Sequence, residues 1–270
     1  MVKKLLKHET IYYYRTLGIL LPIVLVFGIM TRVFRLFENG NVLTDIAIGS
    51  SVTMFVISCF ALLILATVIS VVRFYKNMYS AEGYLTFTLP VTQRQHIFVK
   101  LLVASIAQAL CTLVVILALI IAFSGESLLD AVRWTFGSLG DLVTVCGVGN
   151  FIFFALELLI LLLLAVPSQM LVYYACITLG QTAKKNRILM SVAAYFVYYM
   201  ITQLLGTFFT MAVMIVATSG IGDLLAEWTI NHPMPAIHII AWGSILLSVA
   251  FTVALWFITE SVMKKKLNLE

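Results

Sequence analysis

The sequence predicts an all-α integral membrane protein with six transmembrane helices and both termini on the cytoplasmic side. Three observations carry that prediction. Of the 270 residues, 62% are hydrophobic and only 11% charged, with a mean hydropathy of +1.08, whereas a soluble domain has about a quarter of its residues charged. The apolar runs are long and continuous, unlike the roughly ten-residue alternating segments of a membrane barrel, so backbone polar groups must be satisfied within helices. Finally, Lys and Arg collect in alternate connections, the signature of oriented transmembrane helices.

Apolar stretches of spanning length fall at residues 17–30, 46–72, 97–123, 142–179, 188–216 and 237–258. The first is short and takes Tyr12, Tyr13 and Tyr14 as its aromatic interface anchor. The fourth is too long: at ~1.5 Å per residue it exceeds a hydrocarbon core of ~30 Å. Two spans there would need a polar turn near the middle, which the sequence lacks. The expectation is one span kinked near Pro167, its first turns extending beyond the membrane on the outer side.

The charges test the count. With the N-terminus inside, that side holds Lys3, Lys4, Lys7, Arg15, Arg73, Lys76, Arg94, Lys100, Lys184, Lys185, Arg187 and Lys264 to Lys266. Arg32, Arg35 and Arg133 fall outside, among Glu38, Asp45, Glu126, Asp130, Asp141, Asp223 and Glu227. Splitting the fourth stretch would strand the C-terminal lysines outside, against the positive-inside rule. The pI near 9.0 follows from this bias, and the partner of these cations is the anionic lipid surface, not nucleic acid. The sequence reads as a single transmembrane domain over residues 1–270, with no cleavable signal expected.

Covalent chemistry has no visible constellation. Cys59, Cys111, Cys146 and Cys176 are far apart and lie in or beside apolar segments, where cysteine behaves as a small buried hydrophobe. His8, His96, His232 and His238 show no metal-ligand spacing; Pro233 and Pro235 predict a loop between the last two. G-x-S-x-G, G-x-G-x-x-G and the Walker A loop are missing from the sequence. ATP-driven transport would therefore draw its nucleotide site from another chain. No metal site is expected.

Two polar segments carry information instead. Within residues 1–16, Val2, Leu5, Leu6, Tyr12 and Tyr13 share a helical face while Lys3, Lys4, Lys7 and His8 lie mostly elsewhere, the pattern of an interfacial amphipathic helix or of a positive-inside anchor. Residues 73–92 join the second and third spans with Tyr75, Met78, Tyr79, Tyr84, Leu85, Phe87 and Leu89, an apolar load that suits docking or packing on neighbouring helices. Leu89-Pro90 breaks the chain, and Thr92 with Gln95 predicts a capping box that starts the third span.

These residues carry a resemblance. The opening MVKKLLKHETIYYYRTLGILLPI together with NMYSAEGYLTFTLPVTQRQHIFVKLLVA resembles bacterial ABC-2-type ABC transporter permease subunits, above all the small six-span subunits of Gram-positive bacteria. It covers roughly residues 1–105 and rests on Glu82, Gly83, Tyr84, Leu85, Thr86, Phe87, Thr88, Leu89, Pro90, Val91 and Lys100. It implies a pathway built from two permeases, this chain and a second copy or paralogue. Two ABC ATPase subunits would bind the ATP and Mg²⁺; none is bound by this chain. Met78, Glu82, Gly83, Tyr84, Leu85, Phe87, Leu89 and Pro90 would form the ATPase-coupling helix, braced by the N-terminal helix.

Two further features complete the reading. Glu157 sits in the Leu-rich fourth span, where an ionisable residue is costly and functional by default. Gln108, Gln203 and Asn150 are candidate hydrogen-bond partners. Three roles stay open: a structural acid, the lining of an interface or substrate path, and proton coupling. The outer segment 218–236 mixes Leu224, Leu225 and Trp228 with Asp223 and Glu227. It is a surface loop or, as the resemblance implies, a re-entrant outer gate. The expected function is a permease subunit exporting peptide, lipid or other amphipathic cargo by alternating access at the bacterial cytoplasmic membrane. The alternatives are a proton-coupled secondary carrier using Glu157, and a membrane-embedded enzyme, for which one acid falls short.

Overall fold

The structure, a computed structural model, describes residues 2–37, 40–80, 83, 92–183 and 185–265. Six of its helical stretches are long and apolar enough to cross a membrane, which makes this a multi-pass membrane protein by length and composition. The chain forms two compact units, Met1–Asp141 and Leu142–Glu270.

In the first unit, α1 (Val2–Leu17) turns at Gly18 into α2 (Leu20–Leu36), followed by α3 (Val42–Tyr79), α4 (Gln93–Ala122) and α5 (Glu126–Cys146), the last crossing into the second unit. Thr92 caps α4 with the full reciprocal box, its side chain accepting from Gln95 N–H and the Gln95 side chain accepting from Thr92 N–H, as the sequence predicts. From there α4 buries Ile97, Lys100, Leu101, Ala104, Ala107, Cys111, Val115, Ala118 and Ala122, a three-and-four spacing that keeps one stripe inward. Much of that stripe is small, because apolar area gives no net drive between helices in lipid and close backbone approach must supply the attraction. Ala118 meets Gly28 of α2, while Thr31 Oγ1 of α2 reaches the Ser51 carbonyl of α3 at 3.3 Å. Contacts of Glu9 with Lys100 and Gly28 with Ala118 run α1 and α2 parallel to α4, with α3 antiparallel to all three.

The second unit contains α6 (Val148–Gly180), α7 (Arg187–Ala217), α8 (Gly220–Asn231) and α9 (Pro233–Lys265). Helix α6 packs against both α7 and α9. Ser168 and Thr252 hydroxyls lie 2.6 Å apart and Glu157 meets His238, so α6 and α9 run parallel. Gly180 meets Ser191 and Tyr173 meets Tyr195 with centroids 5.6 Å apart, so α7 is antiparallel to α6. Helix α7 buries none of its residues.

Two expectations are corrected here. The stretch 142–179 is no single helix: it breaks at Gly147 (φ +81°), a left-handed position that glycine reaches without Cβ strain. Residues 142–146 instead close α5, and Pro167 lies inside α6 as expected. The second concerns Pro233 and Pro235, which do not make a loop but form the first turn of α9. Amide hydrogens there have no intrahelical acceptor, so proline removes nothing and its fixed φ suits the helix.

Candidate functional site

One face of α1 decides the first site. Its inward positions are Glu9, Tyr13 and Leu17, with Leu5 and Tyr12 half-buried beside them and Leu6 at the exposed margin. The centre of this stripe is therefore an acid, 2% exposed. An isolated carboxylate so buried costs several kcal/mol, roughly, unless paired and hydrogen-bonded. Glu9 is both. Lys100 Nζ of α4, 3% exposed, donates to Oε1 at 2.7 Å. Arg73 Nε of α3 donates to Oε2 at 3.2 Å, and Asn77 Nδ2 adds a bond to Oε1 at 3.1 Å. The Arg73 guanidinium also lies 3.9 Å from the centroid of the Tyr12 ring, a cation–π contact.

The placement of these donors matters as much as their strength. Arg73 and Asn77 lie in the last two turns of α3, and Lys100 lies two turns into α4. One carboxylate thus ties α1 to both helices flanking residues 80–92. Of the proposed coupling residues, Met78 is fully buried at the end of α3. Gly83 is buried too, its N–H donating to the Ser80 carbonyl at 2.7 Å. Glu82, Tyr84, Leu85, Phe87, Leu89 and Pro90 lie outside the described residues.

The second site joins the two parallel helices of the other unit. Glu157, 3% exposed, faces His238 Nδ1 at 3.0 Å from Oε1 and 2.9 Å from Oε2. Of the candidate partners named from sequence, two bond elsewhere. Gln203 donates to Tyr199 on its own helix at 3.0 Å, Asn150 to the Cys146 carbonyl at 2.9 Å, and Gln108 belongs to the first unit. Below the pair, Ser168 and Thr252 border a cavity of about 370 Å³ between α6, α7 and α9, which Tyr198 and Phe251 help to line.

Within residues 218–236, Gly220–Asn231 form α8, with Leu224, Leu225 and Trp228 all exposed. Leu225 borders a cavity of about 380 Å³ shared with α7, and Trp228 packs on His232 with centroids 5.8 Å apart. Among the described residues, no group of three or more His, Cys, Asp or Glu side chains converges on a metal position.

Glu9, Asn77 and His238 are site residues to which the sequence reading assigned no role. A signal for Glu9 exists: it stands four residues from Leu5 and from Tyr13, inside the apolar stripe. His238 sits one turn into an apolar helix, and only the register of α9 on α6 brings it to Glu157. No family model matches the chain, and no curated protein or solved structure is significantly similar to it.

Proposed function

We propose that this chain is the membrane-spanning permease subunit of an ATP-driven ABC transporter of the ABC-2 type. Separate ATPase subunits hydrolyse ATP and the chain exports peptide, lipid or another amphipathic cargo by alternating access. Both termini then face the cytoplasm of a bacterial cell, and a second copy or paralogue completes the pathway. The observation that carries the reading is the clamp of Glu9 on Arg73, Asn77 and Lys100. It joins the amphipathic N-terminal helix to both sides of the EGYLTFTLPV segment, as a coupling element needs if a push from an ATPase is to move whole helices. A loose connector would absorb that push.

The test is purification of the tagged chain from its native membrane. An ABC ATPase should co-purify, and Phe87→Ala or Glu82→Lys should remove it while leaving the chain in the membrane. Transport by the isolated chain under a pH gradient, lost in Glu157→Gln, would overturn the proposal. That result would favour a proton-coupled carrier, a reading with one observation of its own: buried Glu157 contacts the half-buried imidazole of His238 between two spanning helices.

A further inference from the structure

We propose that the groove where α1 turns into α2 binds one anionic phospholipid, with an acyl chain in the groove and the headgroup on the lysines of α1. The groove holds about 570 Å³ between α1, α2 and α4, and its walls include Leu6, Tyr14, Leu21, Leu25, Ile106 and Leu110. At roughly 30 Å³ for a water-sized group, that is room for an acyl chain of ordinary length. The walls are almost wholly apolar, so nothing in the groove itself selects a headgroup.

Selection comes from α1. Its one acid, Glu9, is turned inward and held by Lys100 and Arg73. The ionic groups α1 exposes are consequently Lys3, Lys4, Lys7 and Arg15, all of one sign. Lys3 and Lys7 stand at helical spacing from Leu6, Thr10 and Tyr14. The stripe that walls the groove is therefore flanked by Lys7 and becomes basic at Lys3, one turn beyond Leu6. A tail-sized apolar groove with cations at one mouth complements an anionic amphiphile, since each lysine near a membrane surface favours anionic lipid. A neutral lipid would use the groove but not the lysines, and the site does not depend on the transporter reading.

Native mass spectrometry of the full chain in detergent, titrated with phosphatidylglycerol and with phosphatidylcholine of the same chains, tests this. The expected result is one retained phosphatidylglycerol, bound at least about tenfold more tightly than phosphatidylcholine, given two lysines at the headgroup. Lys3→Glu with Lys7→Glu should erase that preference and leave phosphatidylcholine binding unchanged. Ile106→Trp, which fills the groove from a half-exposed position, should weaken both lipids. Equal affinity for the two lipids in the unaltered chain would overturn the proposal. So would undiminished phosphatidylglycerol binding in the lysine variant, or a chain dimer that Ile106→Trp dissociates. Should Ile106→Trp fail to fold, the lysine variant, altered only on an exposed helix face, decides alone.

Discussion

Replacing Glu9 by glutamine keeps the shape of the side chain and removes the charge on which three helices converge. With an effective dielectric of about 20, the attractions at 2.7 Å to Lys100 and 3.2 Å to Arg73 are roughly 6 and 5 kcal/mol. Desolvation of the three ions offsets most of this, so the sum is no measure of net stabilisation. What the variant reads is the cost of a buried ammonium whose carboxylate has gone, about 3–5 kcal/mol when one partner of a buried pair is removed. At roughly 2–4 °C per kcal/mol for a chain of this size, Glu9→Gln should lower the apparent Tm of the detergent-solubilised protein by about 6 °C or more. Adding Lys100→Met removes the stranded charge as well, and the double variant should regain at least half of the loss. A Glu9→Gln protein melting within about 1 °C of the original would refute this reasoning. A double variant no more stable than the single would do the same.

Two further outcomes follow from packing and pairing. Glu157→Gln and His238→Ala should each destabilise the protein, and the double-mutant cycle should show a coupling of roughly 1–3 kcal/mol by thermal melting; strict additivity would mean that the 2.9 Å contact contributes nothing. Gly180→Ala places a methyl group against the backbone of Ser191 and should cost about 1–3 kcal/mol, as overpacking does. Gly149→Ala, with open space around it, should be neutral or slightly stabilising on the same melt.

Much of the fold was legible because a membrane imposes a coarse grammar: long apolar runs must be helices, and polar breaks must end them. The capping box at Thr92 was readable for a local reason, since both partners lie within one turn. Local rules also explain the two errors. Gly147 breaks the fourth apolar stretch through a backbone conformation, not through polarity, so hydropathy passes over it. Pro233 and Pro235 look like punctuation, yet at a helix start they fit without loss.

The sequence by itself determined the class of the protein, its number of spanning helices and the helical character of its N-terminal stretch, because each is fixed by the composition of contiguous residues. Only the tertiary structure decided where the buried charges go. Glu9 and Lys100 are 91 residues apart, and Glu157 and His238 are 81 apart. Whether an acid within an apolar stripe is exposed, neutralised or clamped depends on which helix arrives opposite it and in what register. Long-range packing sets that register, and no local pattern encodes it.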